Sequence, residues 1–255
     1  MTKSLNAEAL AEAHALIASE LASLDAALVS DDRLTNAEIQ QIHKYQEHLL
    51  QRNLTLNLTR ITEAEEIRIK QIEDCLSLQT WIDRLFKYHE KFSFLDLGTG
   101  AGLPGILLKI LYPESKACLL DSLRKRIDFL SEVVELLELR GVDLRHARAE
   151  ELGRDPAYRS GFDLVIARAV APLNILLEYS LPFVKPAAYF IAMKTDPAEV
   201  ELARHAAQSL GAKLLDVSNF ELSDSSKRSL FVYQKIGACP KIYPRTAAQI
   251  KRRPL

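Results

Sequence analysis

The chain has 255 residues, 48% of them hydrophobic, with 33 basic side chains against 34 acidic ones for a net charge of −1. That length and apolar share suffice for a large core without disulfides. Cys75, Cys118 and Cys239 lie far apart with no CxxC pair, which argues against a disulfide framework or a zinc site and for reduced cytosolic thiols. The histidines are equally scattered, so no metal is expected. Glu8, Glu12 and Glu20 interrupt any leading apolar stretch, and no run of 18 apolar residues occurs. A cytoplasmic protein with neither secretory signal nor membrane span is therefore expected. The charge is uneven. From Ser225 onward there are eight basic residues and no acid, leaving 25 basic and 34 acidic side chains on the rest. A basic end on an acidic body suits a polyanion met by one face.

In the first ninety residues the apolar positions recur at helical spacing. Leu10, Ile17 and Leu24, with His14, Leu21 and Leu28 between them, put one stripe on a first helix. Thr35 and Glu38 form a capping box ahead of Ile39, Ile42, Tyr45, Leu49 and Leu50. Thr62 and Glu65 predict the same ahead of Ile69, Ile72, Leu76 and Leu85. A polar connector, Asn53 to Arg60, separates the two. Residues 1–90 thus read as a helical extension or cap. From Phe92 strands alternate with helices, which predicts a mostly parallel sheet. Strands are expected at 92–97, 117–121, 142–146, 162–167 and 189–194, with helices at 102–111, 124–139 and 197–210. Residues 213–220 and 229–235 follow with no helix between them and read as an antiparallel edge pair. The fold class is α/β, with a Rossmann-like, seven-stranded, mostly parallel core over residues 91–236. Residues 237–255, holding Pro240, Pro244 and Pro254, predict an extended, weakly ordered basic tail.

The most informative run is Phe94 to Gly102, where Asp96 precedes Gly98, Gly100 and Gly102 as a strand passes into a helix. A glycine turn there aims backbone N–H groups and a helix N-terminus at a ligand. A dinucleotide loop wants glycine at the first, third and sixth positions, and the sixth here is Leu103. The glycines fall instead at the first, third and fifth. Asp96 suits a ligand with a cationic amino group and no phosphate, and S-adenosylmethionine, with its α-ammonium, is such a ligand. Asp121, ending the second strand, can accept from both ribose hydroxyls, although NAD folds place an acid similarly. Asp163, opening the fourth strand, reads equally as a strand-capping acid or a catalytic group.

In this fold the end of the fourth strand, Ala167 to Pro172, faces the cofactor's methyl group. It lacks the Asn/Asp-Pro-Pro-aromatic run expected for exocyclic amines, a cysteine to activate a pyrimidine carbon, and a general base for a hydroxyl. An acceptor that needs no deprotonation is favoured, such as N7 of guanine, with catalysis mostly by positioning. Arg168 is the candidate catalytic residue, able to hold O6 or a phosphate of the substrate. Its bland alternative is a structural ion pair at a strand end. Lys241, Arg245, Lys251, Arg252 and Arg253, with Tyr243 available to stack, form a candidate clamp for RNA phosphates.

The string Asp96-Leu97-Gly98-Thr99-Gly100-Ala101-Gly102-Leu103-Pro104-Gly105-Ile106 resembles the glucose-inhibited division protein B family. These are bacterial methyltransferases that make 7-methylguanosine in 16S ribosomal RNA. Leu120-Asp121-Ser122 with Lys125-Arg126, Ala149-Glu150-Glu151, Ala167-Arg168-Ala169 and Met193-Lys194 match the family's further segments. So do the Asn53–Thr59 connector and the closing Tyr243-Pro244-Arg245. The resemblance implies that Gly98, Leu103, Ala149, Glu150 and Arg168 contact the cofactor, with Ala149 and Glu150 at the adenine. It adds Asn53 and Lys194 to Lys241, Arg245 and Arg252 as candidate substrate-binding residues. It implies 16S rRNA in the small ribosomal subunit as the partner, and a monomer is expected. Where the family shows Arg-His and then, two residues on, Asp-Ser, this chain has Lys70-Gln71-Ile72-Glu73-Asp74-Cys75 and keeps only Asp74. The alternatives are methyl transfer to another RNA site, a protein or a small molecule, and a non-catalytic RNA-binding assembly factor that senses the cofactor.

Overall fold

The helical periodicity of the amino-terminal segment resolves into helices of unequal quality in the computed structural model, which describes residues 7–86 and 91–255. Residue 90, the expected end of the extension, lies outside the described residues. Helix α1 (Ala7–Leu28) packs through its second half, where Leu21, Leu24 and Leu28 are buried while Leu10 and Leu16 stay exposed. Helix α2 (Asn36–Leu56) starts at the expected box: Glu38 N donates to the Thr35 hydroxyl, and Thr35 N donates to Glu38 Oε2 at 2.7 Å. Its buried face is the predicted one, Ile39, Ile42, Tyr45, Leu49 and Leu50.

The second box does not form. Glu63 occupies the cap position of α3 (Ala64–Ile67) without a side-chain bond, and Glu65 instead takes Arg68 at 2.8 Å. A charged donor one turn on outcompetes a backbone N–H for that carboxylate. The single helix expected there is broken into α3, a π-helical stretch Arg68–Glu73, α4 (Asp74–Leu76) and α5 (Gln79–Leu85). At the end of the π stretch Asp74 N donates to Ile69 O and passes over Lys70 O.

The strands are β1 (Ser93–Leu97), β2 (Lys116–Asp121), β3 (Val142–His146), β4 (Phe162–Arg168), β5 (Val184–Lys194), β6 (Ala212–Glu221) and β7 (Lys227–Lys235). They form one sheet in the order β3-β2-β1-β4-β5-β7-β6. The first five run parallel, and β7 is antiparallel to both β5 and β6. Alternate strand residues feed two cores. Phe94, Leu119 and Ile166 join the amino-terminal helices with α6 (Gly105–Leu111) and α7 (Arg124–Leu136). Leu95, Leu120 and Val165 join the opposite layer of α8 (Ala149–Leu152), α9 (Leu173–Ser180), α10 (Glu199–Leu202) and α11 (Arg204–Ser209). Burial on both faces explains the near-continuous apolar run of β4. The amino-terminal helices therefore share a hydrophobic core with the sheet.

The closing segment is not the extended, weakly ordered chain expected. Its prolines remove N–H donors but leave carbonyls, and two arginines of the core take them. Arg159 donates to the carbonyls of Cys239, Pro240 and Tyr243, and Arg154 to that of Pro244. Arg245 grips the fully buried Glu178 of α9 through Nη2–Oε2 at 2.6 Å and Nε–Oε1 at 2.9 Å. Thr246 and Gln249 then box the start of α12 (Ala247–Arg252), whose Ile250 is fully buried. Removing one partner of a buried ion pair strands the other charge at a cost of about 3–5 kcal/mol. Arg245→Ala is thus predicted to lower the unfolding temperature by more than about 6 °C. Calorimetry showing no shift would mean the pair does not hold the tail.

Candidate active site

The strand order reverses between β1 and β4, and the glycine turn after β1 stands at that reversal, where open α/β sheets bind ligands. Asp96 is 1% exposed beneath the turn. Its Oδ2 accepts from Thr99 Oγ1 at 2.7 Å and from Gly105 N at 2.8 Å, so one oxygen ties both ends of the loop. Its Oδ1 is buried with no hydrogen-bond partner. Burial pushes this carboxyl up to about 6, against the bonds from Thr99 and Gly105. Asp96 was expected to face a ligand. It serves the loop with one oxygen, lines neither cavity beside the turn, and keeps the other oxygen as a buried, unfilled acceptor that a cationic group would satisfy.

Gly98 and Gly100 carry φ of +73° and +63°, which glycine adopts freely, and their N–H groups donate to Leu120 O and Asp121 Oδ2 and are not aimed at a ligand as expected. Gly102 is packed against Ile106 and Leu130 and does not line a cavity with the other two. Asp121 already takes three donors: Leu123 N at 2.9 Å on Oδ1, and Gly100 N and Arg126 Nη1, both at 3.0 Å, on Oδ2. A carboxylate has about four acceptor sites, so two ribose hydroxyls fit only if Arg126 gives way.

Two cavities flank Gly98. One of about 550 Å³ is lined by Gly98, Gly100, Leu103, Arg168 and Ala169, with α2 and the π stretch closing its far side. The other, about 210 Å³, is lined by Gly98, Asp121, Ala149, Glu150, Val170 and Tyr179. Arg168 Nη1 donates to Lys70 O at 3.0 Å and stands 3.4 Å from Asp74 Oδ2. Arg228 of β7 places Nε 3.3 Å from Asp74 Oδ1. Asp74 is 5% exposed, and burial raises its pKa against the pull of both guanidinium groups. Two guanidinium ions thus share one carboxylate. Lys70, Arg126 and Lys194 also line the larger cavity but pair with Glu66, Asp121 and Glu199, so its excess positive charge is the one guanidinium that Asp74 leaves uncompensated. Arg168 combines both alternatives, an ion pair at a strand end that also lines the cavity.

Sequence reasoning missed Arg228, because only the sheet order brings β7 beside β5, and Glu199, which the turn after β5 folds back onto Lys194. It also set Cys75 far from the site, yet that thiol lies within electrostatic reach of Arg168. Cys75 is fully buried and pushed up to about 12 by that burial, which removes it as a nucleophile. Asp163 caps the sheet at the start of β4, accepting from Ser93 N at 2.9 Å and from Lys185 Nζ at 2.8 Å. Asn53 Oδ1 accepts from Leu58 N at 2.6 Å and Thr59 N at 2.9 Å, folding the connector on itself. Lys194 Nζ donates to Ala171 O at 2.7 Å and pairs with Glu199 at 2.8 Å. Lys241 and Arg252 are exposed, whereas Arg245 is held by Glu178, so the five tail cations do not form one clamp. Among the described residues no cluster of three His, Cys, Asp or Glu could hold a metal. No described helix is long and apolar enough to cross a membrane.

The profile of the GidB family, described as rRNA small subunit methyltransferase G, matches residues 38–230. The chain is similar to proteins named ribosomal RNA small subunit methyltransferase G from several bacteria. That of Thermoanaerobacter sp. (strain X514) is 46% identical over 220 residues, covering 85% of this chain and 90% of its own length. That of Acetivibrio thermocellus is 43% identical over 224 residues, covering 87% and 90%. Among solved structures, the cyclase SpnF has a TM-score of 0.51 at 12% identity, covering 63% of this chain and 81% of its own. A candidate sarcosine dimethylglycine methyltransferase of Galdieria sulphuraria has 0.51 at 11%, covering 65% and 86%. Those two likenesses are of fold alone, and a fold that serves a cyclase as well does not fix the chemistry.

The loop geometry itself is testable. A Cβ on Gly105 would run into Leu119 Cδ2 and stand 2.7 Å from Asp96 Oδ2, the acceptor its own N–H uses, so both side chains would have to move. Gly105→Ala is predicted to cost about 1–3 kcal/mol through overpacking. Urea unfolding would read that loss, and an unchanged midpoint would show that both are free to shift.

Proposed function

Because this chain belongs to the GidB family, that of rRNA small subunit methyltransferase G, we propose that it methylates N7 of a guanosine in 16S rRNA with S-adenosylmethionine as donor. We place it in the cytoplasm, acting as a monomer on the small ribosomal subunit. The observation that carries the choice of acceptor is the pair of guanidinium groups, Arg168 and Arg228, that share the single carboxylate of Asp74 beside the end of β4. It offers charge for an anionic polymer, while the cysteine nearest to it is buried and protonated. When bound, the cofactor supplies a methyl group on a sulfonium, which the N7 lone pair can take without first losing a proton.

Each role falls to a residue of this chain. Asp96 Oδ1 would accept from the donor's ammonium group, Asp121 would accept from its ribose once Arg126 gives way, and Ala149 and Glu150 would border its adenine in the smaller cavity. Leu103 and the backbone of Gly98 and Gly100 wall the methionine portion. Arg168, fixed by Lys70 O and Asp74, holds the guanine or its phosphate in line. Arg228, the second guanidinium on Asp74, holds the neighbouring phosphodiester, and exposed Lys241 and Arg252 extend contact to flanking RNA. Misplacing a substrate by an ångström can cost roughly 100-fold in rate, the loss expected for Arg168→Ala.

Asp96 makes cofactor binding depend on pH. Below about 6 the carboxyl is protonated and neutral; above it, the anion can pair with an ammonium that itself keeps its proton to about 7.7–8. Affinity should therefore rise with pH, being about tenfold weaker at pH 5 than at pH 7. Asp96→Asn keeps an oxygen for Thr99 and Gly105 and should bind weakly with no such slope. Calorimetric titration across that range decides it, and a flat profile for the unaltered protein removes the ammonium contact.

The reaction is tested by mass spectrometry of 16S rRNA fragments from cells with and without the gene. One borohydride- and aniline-sensitive guanosine should be present in the first and missing from the second. Identical 7-methylguanosine content in both would overturn the proposal.

A further inference from the structure

The chain leaving β4 forms a strap across the glycine turn. Ala169 lines the larger cavity and Val170 the smaller, and Val170 Cγ2 stands 2.7 Å from where a Cβ on Gly98 would be. The strap does not lie in a relaxed conformation, since Ala169 has φ of +55°, a left-handed backbone that persists only where surroundings impose it. Two side chains impose it here. Lys194 Nζ, at the end of β5, donates to Ala171 O at 2.7 Å. Glu199 Oε2, at the start of α10, accepts from Leu173 N at 2.7 Å. The two side chains pair at 2.8 Å, so a single ion pair grips the strap on both sides of Pro172. Leu173 N is a first-turn donor of α9 with no partner inside its helix, and a carboxylate there is electrostatically favoured. The lysine side chain is 10% exposed and the glutamate 22%, so the grip is shielded from screening by solvent.

We infer that Glu199, acting with Lys194, is a positioning residue for the cofactor: the pair pins the strap so that Ala169 and Val170 hold the walls of both cavities against Gly98. The inference rests on the proposal that one S-adenosylmethionine spans the two cavities. It gives Lys194, expected to touch substrate, a different task. Neither side chain needs to contact the reacting atoms.

The test compares the unaltered chain with Glu199→Ala, Glu199→Gln and Lys194→Gln by calorimetric titration with S-adenosylmethionine, thermal unfolding and steady-state rates on small subunits. Loss of a hydrogen bond to a charged group should raise the cofactor Kd of Glu199→Ala roughly tenfold. Glu199→Gln should recover part of this, because its amide oxygen still accepts from Leu173 N, and Lys194→Gln should raise Kd as well. The KM for cofactor should rise more than kcat falls. A merely structural tie would lower the unfolding temperature and leave Kd unchanged in the folded variants, which would overturn the inference. Should Glu199→Ala fail to fold, the two Gln variants decide: unchanged Kd in both is equally fatal. If the variants keep this order but the unaltered protein leaves guanine N7 unmodified, the proposed reaction falls and the strap stands. If the unaltered protein does not bind the cofactor, both fall.

Discussion

A carboxylate sealed beneath a glycine turn must have its acceptors filled from nearby, and Asp96 fills one oxygen with the hydroxyl of Thr99 and the N–H of Gly105. Those two hydrogen bonds to one oxygen fix where β1 stops and α6 begins. The rest of the turn is then fastened from three directions. Gly98 N and Thr99 N donate to Leu120 O, Gly100 N donates to Asp121, and the Tyr45 hydroxyl of α2 donates to Ala101 O. Backbone donors and acceptors that would otherwise need water are filled before any ligand arrives. The exposed face of the turn is therefore preorganised, and the amino-terminal helices are part of what orders it.

Charge has a matching logic. The wall opposite the turn carries two guanidinium groups on one buried carboxylate, with further cations around them. A one-to-one pairing would have neutralised the cavity and made Arg168 a strut. Sharing Asp74 keeps Arg168 and Arg228 immobile while leaving positive charge available to an anion. The same residues that stiffen the cavity thus leave it one uncompensated positive charge, which the proposed RNA acceptor would use.

The central strands were legible because burial on both faces leaves apolar runs that no surface element shares; β1, β2 and β4 fall within a residue of their predicted ends. The glycine loop was legible because its spacing departs from the dinucleotide pattern at Leu103. Contacts across the sheet were not. Arg228 reaches Asp74 only because β7 inserts between β5 and β6, an order that local periodicity does not encode. The tail defeated composition for another reason. Its order comes from arginines at positions 154 and 159 and a glutamate at 178, far away in the chain, and a basic, proline-rich segment carries no sign of such partners. At Thr62 a correct local rule lost to a stronger local interaction, the ion pair between Glu65 and Arg68.

The π-helical stretch has a consequence for how this segment can change. In an ordinary α-helix Lys70 O would accept from Asp74 N; here that donor goes to Ile69 O, and the released carbonyl is the one Arg168 holds. Wide turns of this kind behave as a single extra residue lodged in a helix. Deleting one residue between Arg68 and Glu73 would let the ladder close, retract the Lys70 carbonyl and swing Asp74 by about 100° around the axis. Descendants of this chain can therefore exchange side chains along the stretch more readily than they can shorten it.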